Sequence, residues 1–532
     1  MRILTREQVV AAERQATNDP EVSTLVLMRR AGYAVAQFCL SQFKFRSVCV
    51  VCGKGNNGGD GFVAAEALSG VADVQVVVLA SDAGQLSPDA AAMCSRLPLE
   101  PIWAPDEAAL DSERVREALE ADLILDAIVG TGFKPPLKGL ALRAVDAINE
   151  AAGTVVAVDL PSGADADSTK PLQENRDIVA RADGIVTFIA PKPAHVFGDL
   201  TSGPIAVSEI GVEPARPGNS AVLEVATGQE VEITFPRRRK EAHKGDFGHV
   251  LVIAGSLGKA GAAALAGMAA LRTGAGLVTV ACPRSIQATV AGFAPEMMTE
   301  GLAETEDGTI ALAAASKVQA LLHGKDAIVL GPGLSQNPQT AEFVRNLVTN
   351  APLPLVLDAD GLNAFDGHYS ELRPRAAGAP VRVLTPHPGE AARLVGSAIG
   401  DVQKDRLASA QRMARETGCC VVLKGSGTVV AGASGETWIN MTGNAAMAKG
   451  GSGDVLSGVI GAALARRRET TSASLEYLHV AAAVYLHGLA GDLARDLLHE
   501  NSVLATDLIH ELDDAFHDCE GQAEKALFYL KR

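Results

Sequence analysis

The stretch "GKGNNGGDG", residues 53–61, follows the apolar run "SVCVVC" and precedes the apolar-periodic "FVAAEAL". Its first six letters satisfy G-x-G-x-x-G, the strand-to-helix glycine loop that lets a pyrophosphate approach backbone N–H groups. Asn56, Asn57 and Asp60 sit where such loops keep side chains out of the way, and a carboxylate there repels phosphate. A ribose-holding acid at the end of the next strand is half supplied by Asp82, just past "VQVVVLA". By itself the loop leaves a dinucleotide site and a plain glycine turn evenly matched.

Outward from the loop, residues 1–211 alternate short β-rich runs with helical stretches: "SVCVVCG", "VQVVVLA", "LILDAIVG", "GTVVAVDLP", "GIVTFIA" and "PIAVSEIG". Continuous apolar runs separated by helices predict a parallel sheet covered on both faces. Residues 212–242 carry Pro214, Pro217, Pro236 and the basic run "PRRRK" with little periodicity, so a linker is expected there. A second α/β series starts at "HVLVIAGS" (249–256) and runs through "GLVTVACP", "AIVLGPGL", "LPLVLDADGL", "VRVLTPHPGE" and "CCVVLKGSGTVVAG". The expected fold is α/β, in two open-sheet domains covering residues 1–220 and 221–532. Ligands of such sheets bind beyond the carboxyl ends of the strands, where the polar clusters of this chain fall.

Two further strand ends join the opening loop. "LDAIVGTGFKPP" (125–136) places Asp126 at a strand terminus, followed by a glycine turn with Lys134 able to meet a phosphate. "VAVDLPSG" (156–163) ends a strand with Asp159, then Ser162 and Gly163. An amide oxygen, a carboxylate and a hydroxyl from three neighbouring loops make a hard-oxygen cage for a cation. These three motifs, in this order and spacing, resemble the YjeF N-terminal family, NAD(P)H-hydrate epimerases with a Rossmann-like fold. The resemblance implies that Asn56, Asn57, Gly58, Gly59 and Asp60, with Gly130, Thr131, Gly132, Phe133, Lys134, Pro135 and Pro136, hold the hydrated dinucleotide as substrate. It also implies that Asn57, Asp126 and Ser162 ligate K⁺ and that Asp159 lies at the substrate, where a carboxylate can move the proton. Lys192 of "APKPAH" is a weaker second for that proton, and the surface is its expected place.

In the second half, "GGSGDVLSG" (450–458) sets glycines before a helix, exposing N–H groups at its positive end as an anion site. Asp454 falls in the first turn, as a base toward a hydroxyl attacking phosphorus or as a simple cap. "LKGSGT" (423–428), "TPHPGE" (385–390), "GPGL" (331–334) and "GAAALAG" (261–267) supply strand-end turns and small residues for one cleft. Together these motifs resemble the YjeF C-terminal family, the NAD(P)H-hydrate dehydratases of the ribokinase-like superfamily, in the bacterial version that spends ADP. Lys424, Gly425, Ser426, Gly427, Thr428 and Gly453 are then implied to meet the nucleotide. Ala262, Gly333, His387 and Asp454 are implied to meet the hydrated substrate, with Asp454 catalytic and Mg²⁺ accompanying ADP. The usual Gly-Thr-Gly before the catalytic acid reads Gly-Ser-Gly here, which keeps the hydroxyl.

Totals narrow the rest. Lys plus Arg is 47 and Asp plus Glu 63, a net charge of −16 that argues against nucleic acid as the main partner. Eight cysteines in 532 residues, several in apolar runs, make no disulfide framework. Cys49 and Cys52 form a C-x-x-C, but three steps along a strand point to opposite faces, so zinc is not expected. The start lacks a signal-peptide core, and "AGAAALAGMAAL" (260–271) is too short for a bilayer, so a soluble cytoplasmic protein is expected. The partners expected are the hydrates of NADH and NADPH, ADP and further copies of the chain in a homo-oligomer. Two other readings stay open at this point: a kinase of a small hydroxylated metabolite with a regulatory first domain, and a first domain that binds without turnover.

Overall fold

The computed structural model describes residues 1–19, 21–172, 178–212, 223–373, 378–466, 473–521 and 527–531. It resolves into two compact units, Met1–Ser220 with Glu524–Arg532, and Ala221–Ala523. The expected boundary at 220/221 lies outside the described residues.

The first unit is built on β1 (Ser47–Cys52), β2 (Asp73–Val78), β3 (Ile102–Trp103), β4 (Leu123–Ala127), β5 (Thr154–Val158), β6 (Gly184–Phe188) and β7 (Ile205–Ser208). These run parallel in the order β7-β6-β5-β4-β1-β2-β3, which is the doubly wound Rossmann order. The winding reverses between β1 and β4. There the loop of the opening motif faces the loop after Asp126. Strand residues are buried on both faces: Cys49 joins the apolar cluster on one side of the sheet and Cys52 the cluster on the other, and both thiols are free.

The glycines of the opening motif are needed for close approach. A Cβ on Gly53 would lie 2.0 Å from the Ile128 carbonyl oxygen, and one on Gly61 would lie 2.6 Å from the Ala127 Cβ. The helix Asn56–Leu68 can therefore start directly at the sheet, capped by Gly55 without any side chain over its first N–H groups.

One strand of this sheet was not anticipated. Phe528–Lys531, at the far end of the chain, pairs antiparallel with β7 and closes the edge. Leu527, Phe528 and Leu530 are buried, and the Tyr529 ring stacks on Phe38 at 6.2 Å. The last residues thus belong to the first unit, whereas the sequence reading ran the second domain to residue 532.

The second unit holds β8 (Leu223–Val225), β9 (His249–Ile253), β10 (Leu277–Pro283), β11 (Met298–Leu302), β12 (Ala327–Leu330), β13 (Leu355–Leu357), β14 (Arg382–Leu384), β15 (Cys420–Leu423), β16 (Thr428–Ala431) and β17 (Thr437–Asn440). Their order is β11-β10-β9-β12-β13-β14-β15-β16-β17-β8, with β16 antiparallel to both neighbours. The winding again reverses after the first long strand, between β9 and β12. A glycine-rich helix, Ser452–Ala465, packs on this sheet and is buried nearly all round.

The linker reading of residues 223–242 does not hold. β8 pairs with β17, and the helix Gly228–Thr234 follows it. The basic run is docked: Arg238 lies 4.0 Å above the Phe247 ring and Arg237 pairs with Glu520 at 2.9 Å. Arginine stacks well on aromatic faces, which ties Arg238 to the unit, while the run Pro236–Lys240 itself is solvent-exposed. Among the described residues no helix is long and apolar enough to cross a membrane.

Truncating the last strand's anchor tests the unexpected closure. Leu530→Ala should cost the first unit about 2–5 kcal/mol. Urea unfolding followed at Trp103 in a Trp438→Phe background reads that unit separately, and an unchanged midpoint would contradict the strand's place in the sheet.

Candidate active sites

At the switch point of the first unit, loops after β1, β4, β5 and β6 converge. Asp126, 0% exposed at the end of β4, accepts the Ser162 N–H at 2.7 Å on Oδ2 and the Ser162 hydroxyl at 2.6 Å on Oδ1. Burial pushes its carboxyl up to about 6 despite these bonds. Ser162 also accepts the Val129 N–H at 3.1 Å. Asn57 lies on the Asp159 side of the Gly130 loop: a Cβ on Gly130 would lie 2.7 Å from both Asn57 Oδ1 and Asp159 Oδ2.

Asp159 follows β5 with φ of 69°, a left-handed conformation tolerated by Asp and costly for most residues. The backbone kink aims its carboxylate back into the cluster. Oδ2 accepts the Thr131 N–H at 2.6 Å, and Oδ1 accepts the Thr187 hydroxyl at 2.9 Å and Lys192 Nζ at 2.8 Å. Burial alone would raise this carboxyl, but the Lys192 ammonium and the Thr131 bonds outweigh it and hold the group well below the usual range.

Lys192 corrects the sequence reading. It is 1% exposed, not a surface lysine, and donates to Asp159, to Thr187 Oγ1 at 2.7 Å and to the Phe188 carbonyl at 3.1 Å. Three acceptors for three N–H groups are what allow an ammonium to stay buried. His195 donates from Nε2 to the Asp159 carbonyl at 2.8 Å while its Nδ1 accepts the Lys192 N–H. Burial, then Lys192, lowers its imidazole to about 4, so it is neutral.

Around this centre, Asn56 Oδ1 accepts the Ser87 hydroxyl at 3.0 Å, and Gly58 and Gly59 are buried in the first helical turn. Gly132, Lys134 and Pro136 are exposed at the rim, with Phe133 and Pro135 half-buried beside them. Asp60 is pushed well up, by burial first and then by the charges of Asp159 and Glu13.

In the second unit the ends of β13, β14 and β15 meet the start of the helix Ser452–Ala465. Asp358, 1% exposed, accepts Lys424 Nζ, the Thr385 hydroxyl and the Ser457 hydroxyl, each at 2.7 Å. Glu390 adds a second carboxylate 3.9 Å from Lys424 Nζ. Burial would lower the Lys424 ammonium, but Asp358 and Glu390 reverse this and raise it.

Asp454 is one turn into the helix, whose cap Gly451 has φ of 98° and leaves the first N–H groups without a side-chain cap. Burial and the Asp358 charge push its carboxyl up to about 7, against the opposing pull of Lys424.

A cleft of about 840 Å³ opens alongside, lined by Lys424, Gly425, Ser426, Gly427 and Thr428, by Gly453, by His387 and by the loop 440–444. His387 caps the helix Pro388–Val395, accepting the Gly389 N–H at 3.0 Å on Nδ1 with half its surface exposed. His487 donates to the Ser452 carbonyl at 3.0 Å and is lowered by burial to about 4. Ala262 and Gly333 touch each other at the β9/β12 switch, and they are not among the residues lining this cleft. Lys259, behind Gly333, pairs with Asp360 at 3.2 Å, and the Asp360 charge in turn bears on Asp454.

Sequence reading missed Thr187, His195 and Glu13 in the first centre, and Asp358, Glu390, Ser457 and His487 in the second. Asp358 and Glu390 stand inside the runs "LPLVLDADGL" and "TPHPGE". No local signal marked Lys192, whose partner is 33 residues away in sequence.

Two doubly wound units, each with a lysine–carboxylate pair at its strand ends, define a two-centre α/β enzyme. The family model for a YjeF-related protein N-terminus matches residues 24–194, and the model for NAD(P)H-hydrate dehydratase matches residues 250–514. The bifunctional NAD(P)H-hydrate repair enzyme Nnr of Moorella thermoacetica is 36% identical, over 98% of this chain and 98% of its own. The enzyme of that name from Escherichia coli is 34% identical over 95% and 92%. A crystal structure of the ADP/ATP-dependent NAD(P)H-hydrate dehydratase from Bacillus subtilis, co-crystallised with ATP and Mg²⁺, aligns at 32% identity and TM-score 0.48. It covers 56% of this chain and 99% of its own. The chain belongs to the family of bifunctional NAD(P)H-hydrate repair enzymes.

The raised carboxyl has a stability signature. A folded pKa of about 7 against an unfolded value of about 3.9 means that Asp454's contribution is fully present below about pH 4 and is lost as pH rises through 7. Asp454→Asn should therefore leave the second unit more stable than wild type at pH 8 and equal to it at pH 4. Urea midpoints read at Trp438 at the two pH values check this, and equal midpoints at pH 8 would contradict the raised carboxyl.

Proposed function

We infer that this chain repairs hydrated reduced nicotinamide dinucleotides in two steps. The first unit interconverts the R and S hydrates of NADH and NADPH. The second dehydrates the S form at the expense of ADP, giving AMP, phosphate and the reduced dinucleotide. The observation that carries this reading is the presence of two independent lysine–carboxylate centres in a chain similar from end to end to enzymes named for both activities.

In the second centre Asp454 takes the proton of the substrate hydroxyl as that oxygen attacks the β-phosphorus of ADP and AMP departs; the ring nitrogen's lone pair then expels phosphate from the same carbon, and the neighbouring carbon gives up a proton to restore the C=C bond. Lys424 to Thr428 and Gly453 hold the nucleotide, and the uncapped helix start steadies its phosphate charge. Ala262, Gly333 and His387 face the hydrated dinucleotide. Carried with the nucleotide, Mg²⁺ would offset part of its phosphate charge. A raised Asp454 suits a base working near neutral pH, and the Lys424–Asp358 pair beside it favours this role over a plain helix cap.

In the first centre the loop 56–60 and residues 130–136 hold the substrate, and Asp159, kept ionised by Lys192, is the base. Asn57, Asp126 and Ser162 fit a K⁺ ion: Asp126 is a buried carboxylate with no cationic partner among the described residues, and hard oxygens surround it. Bound there, K⁺ supplies a fixed positive charge beside the dinucleotide's phosphates. We place the protein in the cytoplasm, in keeping with eight free buried cysteines. The expected homo-oligomer is checked by sedimentation of the full chain.

Asp454→Asn keeps shape and capping, so a structural acid would lose little. A base should lose about 10²- to 10⁴-fold in turnover, with nucleotide affinity and epimerisation unchanged. Recovery of reduced-nicotinamide absorbance from S hydrate with ADP measures this, and near-normal turnover sinks the assignment. Asp126→Ala should weaken K⁺ activation and epimerisation together while sparing dehydration of pure S hydrate, resolved by chromatography of the epimers. Equal loss of both activities would count against two separate centres.

A further inference from the structure

Strands β5 and β6 end alike. Asp159 and Ile189, the residues just past them, both have φ of 69°. The next N–H of each turns back on its strand, Leu160 to the Val158 carbonyl at 2.9 Å and Ala190 to the Phe188 carbonyl at 2.8 Å. Aspartate tolerates left-handed backbone, but a β-branched residue there is an outlier, and such strain persists only where the surroundings impose it. Ile189 is 2% exposed, and the Ser208 carbonyl holds its N–H at 2.7 Å. This second kink returns the chain over its own strand, so that Lys192 Nζ meets Thr187 and Phe188 of β6.

Thr187 is the one polar side chain of β6, whose sequence is GIVTF, and it is fully buried. Its hydroxyl has no choice of direction. Lysine only donates and a carboxylate only accepts, so the single O–H goes to Asp159 Oδ1 at 2.9 Å while its oxygen accepts Lys192 Nζ at 2.7 Å. With Lys192 Nζ at 2.8 Å, Oδ1 carries two donors. Oδ2 accepts the Thr131 N–H and faces the loop after β4. Gly130 leaves the space before it open, since a Cβ there would lie 2.7 Å from Oδ2 and from Asn57 Oδ1. The Nδ2 of the same asparagine is buried without a hydrogen-bond partner among the described residues, a donor left for a ligand.

The two donors to Oδ1 differ in what they fix. An ammonium on a four-carbon stem is a rotatable point charge that attracts either oxygen. A hydroxyl on a β-branched strand residue has a stiff χ1 and reaches one place. Without that hydroxyl the carboxylate is free to turn about its Cβ–Cγ bond and exchange its two oxygens.

Resting on the epimerase reading of the first unit, we propose that Thr187 is the positioning residue of that centre. By holding Oδ1 against β6 it makes Oδ2 the oxygen through which Asp159 exchanges its proton with the substrate. A proton gained at Oδ2 leaves both hydrogen bonds of Oδ1 in place and is given back from the same atom, so the count closes within one turnover. Thr187 acts through the orientation of Asp159 and not on the substrate.

The test follows conversion of R hydrate to S hydrate by the full-length chain, without ADP and above the uncatalysed rate. Thr187→Val is nearly isosteric and keeps a strand former, while Thr187→Ala removes the hydroxyl without a β-branch. Each should lower kcat about 10²-fold with KM within threefold. Thr187→Ser, which differs from the alanine variant only by the hydroxyl, should recover kcat to within about tenfold of wild type. Urea unfolding at Trp103 in a Trp438→Phe background shows that the first unit of each variant is folded. Hydroxyl-free variants within twofold of wild type overturn the proposal, as do a loss confined to KM and a serine variant no faster than alanine. Failure of both hydroxyl-free variants to fold makes Thr187 a folding residue and overturns it too. A wild-type chain that leaves R hydrate unconverted overturns the epimerase reading itself, and the role of Thr187 with it.

Discussion

A lysine ammonium survives inside a protein only where acceptors replace its water, and that requirement shapes both units of this chain. Lys192 finds Asp159, Thr187 and the Phe188 carbonyl. Lys424 finds Asp358, with Glu390 behind it. In each case lysine and carboxylate come from the ends of different parallel strands, so the pair forms only when the sheet is assembled. Removing Lys192 or Asp159 leaves a buried charge alone, which costs about 3–5 kcal/mol.

Each pair also divides its neighbouring acids into two kinds. Asp159 is held ionised while Asp60, close by, is driven toward its neutral form. Asp358 sits on Lys424 while Asp454 is raised to about 7. Environments that push neighbouring carboxyls apart create an acid and a base from the same functional group. Both units share one electrostatic device, a carboxylate locked onto lysine whose charge opposes ionisation of the next acid.

The two sheets share the same order of their first strands, and both place a glycine-capped helix at a strand end. In the first unit the capped helix follows β1, at the switch point. In the second it arrives from far along the chain, beside β13 and β15, while the switch itself holds Ala262 and Gly333. The same architecture thus offers an anion-favouring helix start at different positions relative to the strands, which is how one fold serves two chemistries.

The sequence by itself determined the α/β class, the strands, and the loops that carry polar side chains. Apolar runs of strand length and glycine turns are local physics, readable wherever β-branched residues alternate with helical stretches. It also carried Asp126, Asp159, Lys424 and Asp454, because each sits at a strand end or helix start. Tertiary structure alone decided the burial of Lys192 and the hydrogen bonds of Asp358, since a lysine's fate depends on an acceptor 33 residues away and an aspartate's on three loops meeting. Residues 223–240 look like a linker because a short edge strand and stacked arginines have little periodicity of their own. The closing strand Phe528–Lys531 was equally hidden, because strand pairing is set by register with β7 across the whole length of the chain and leaves no local mark.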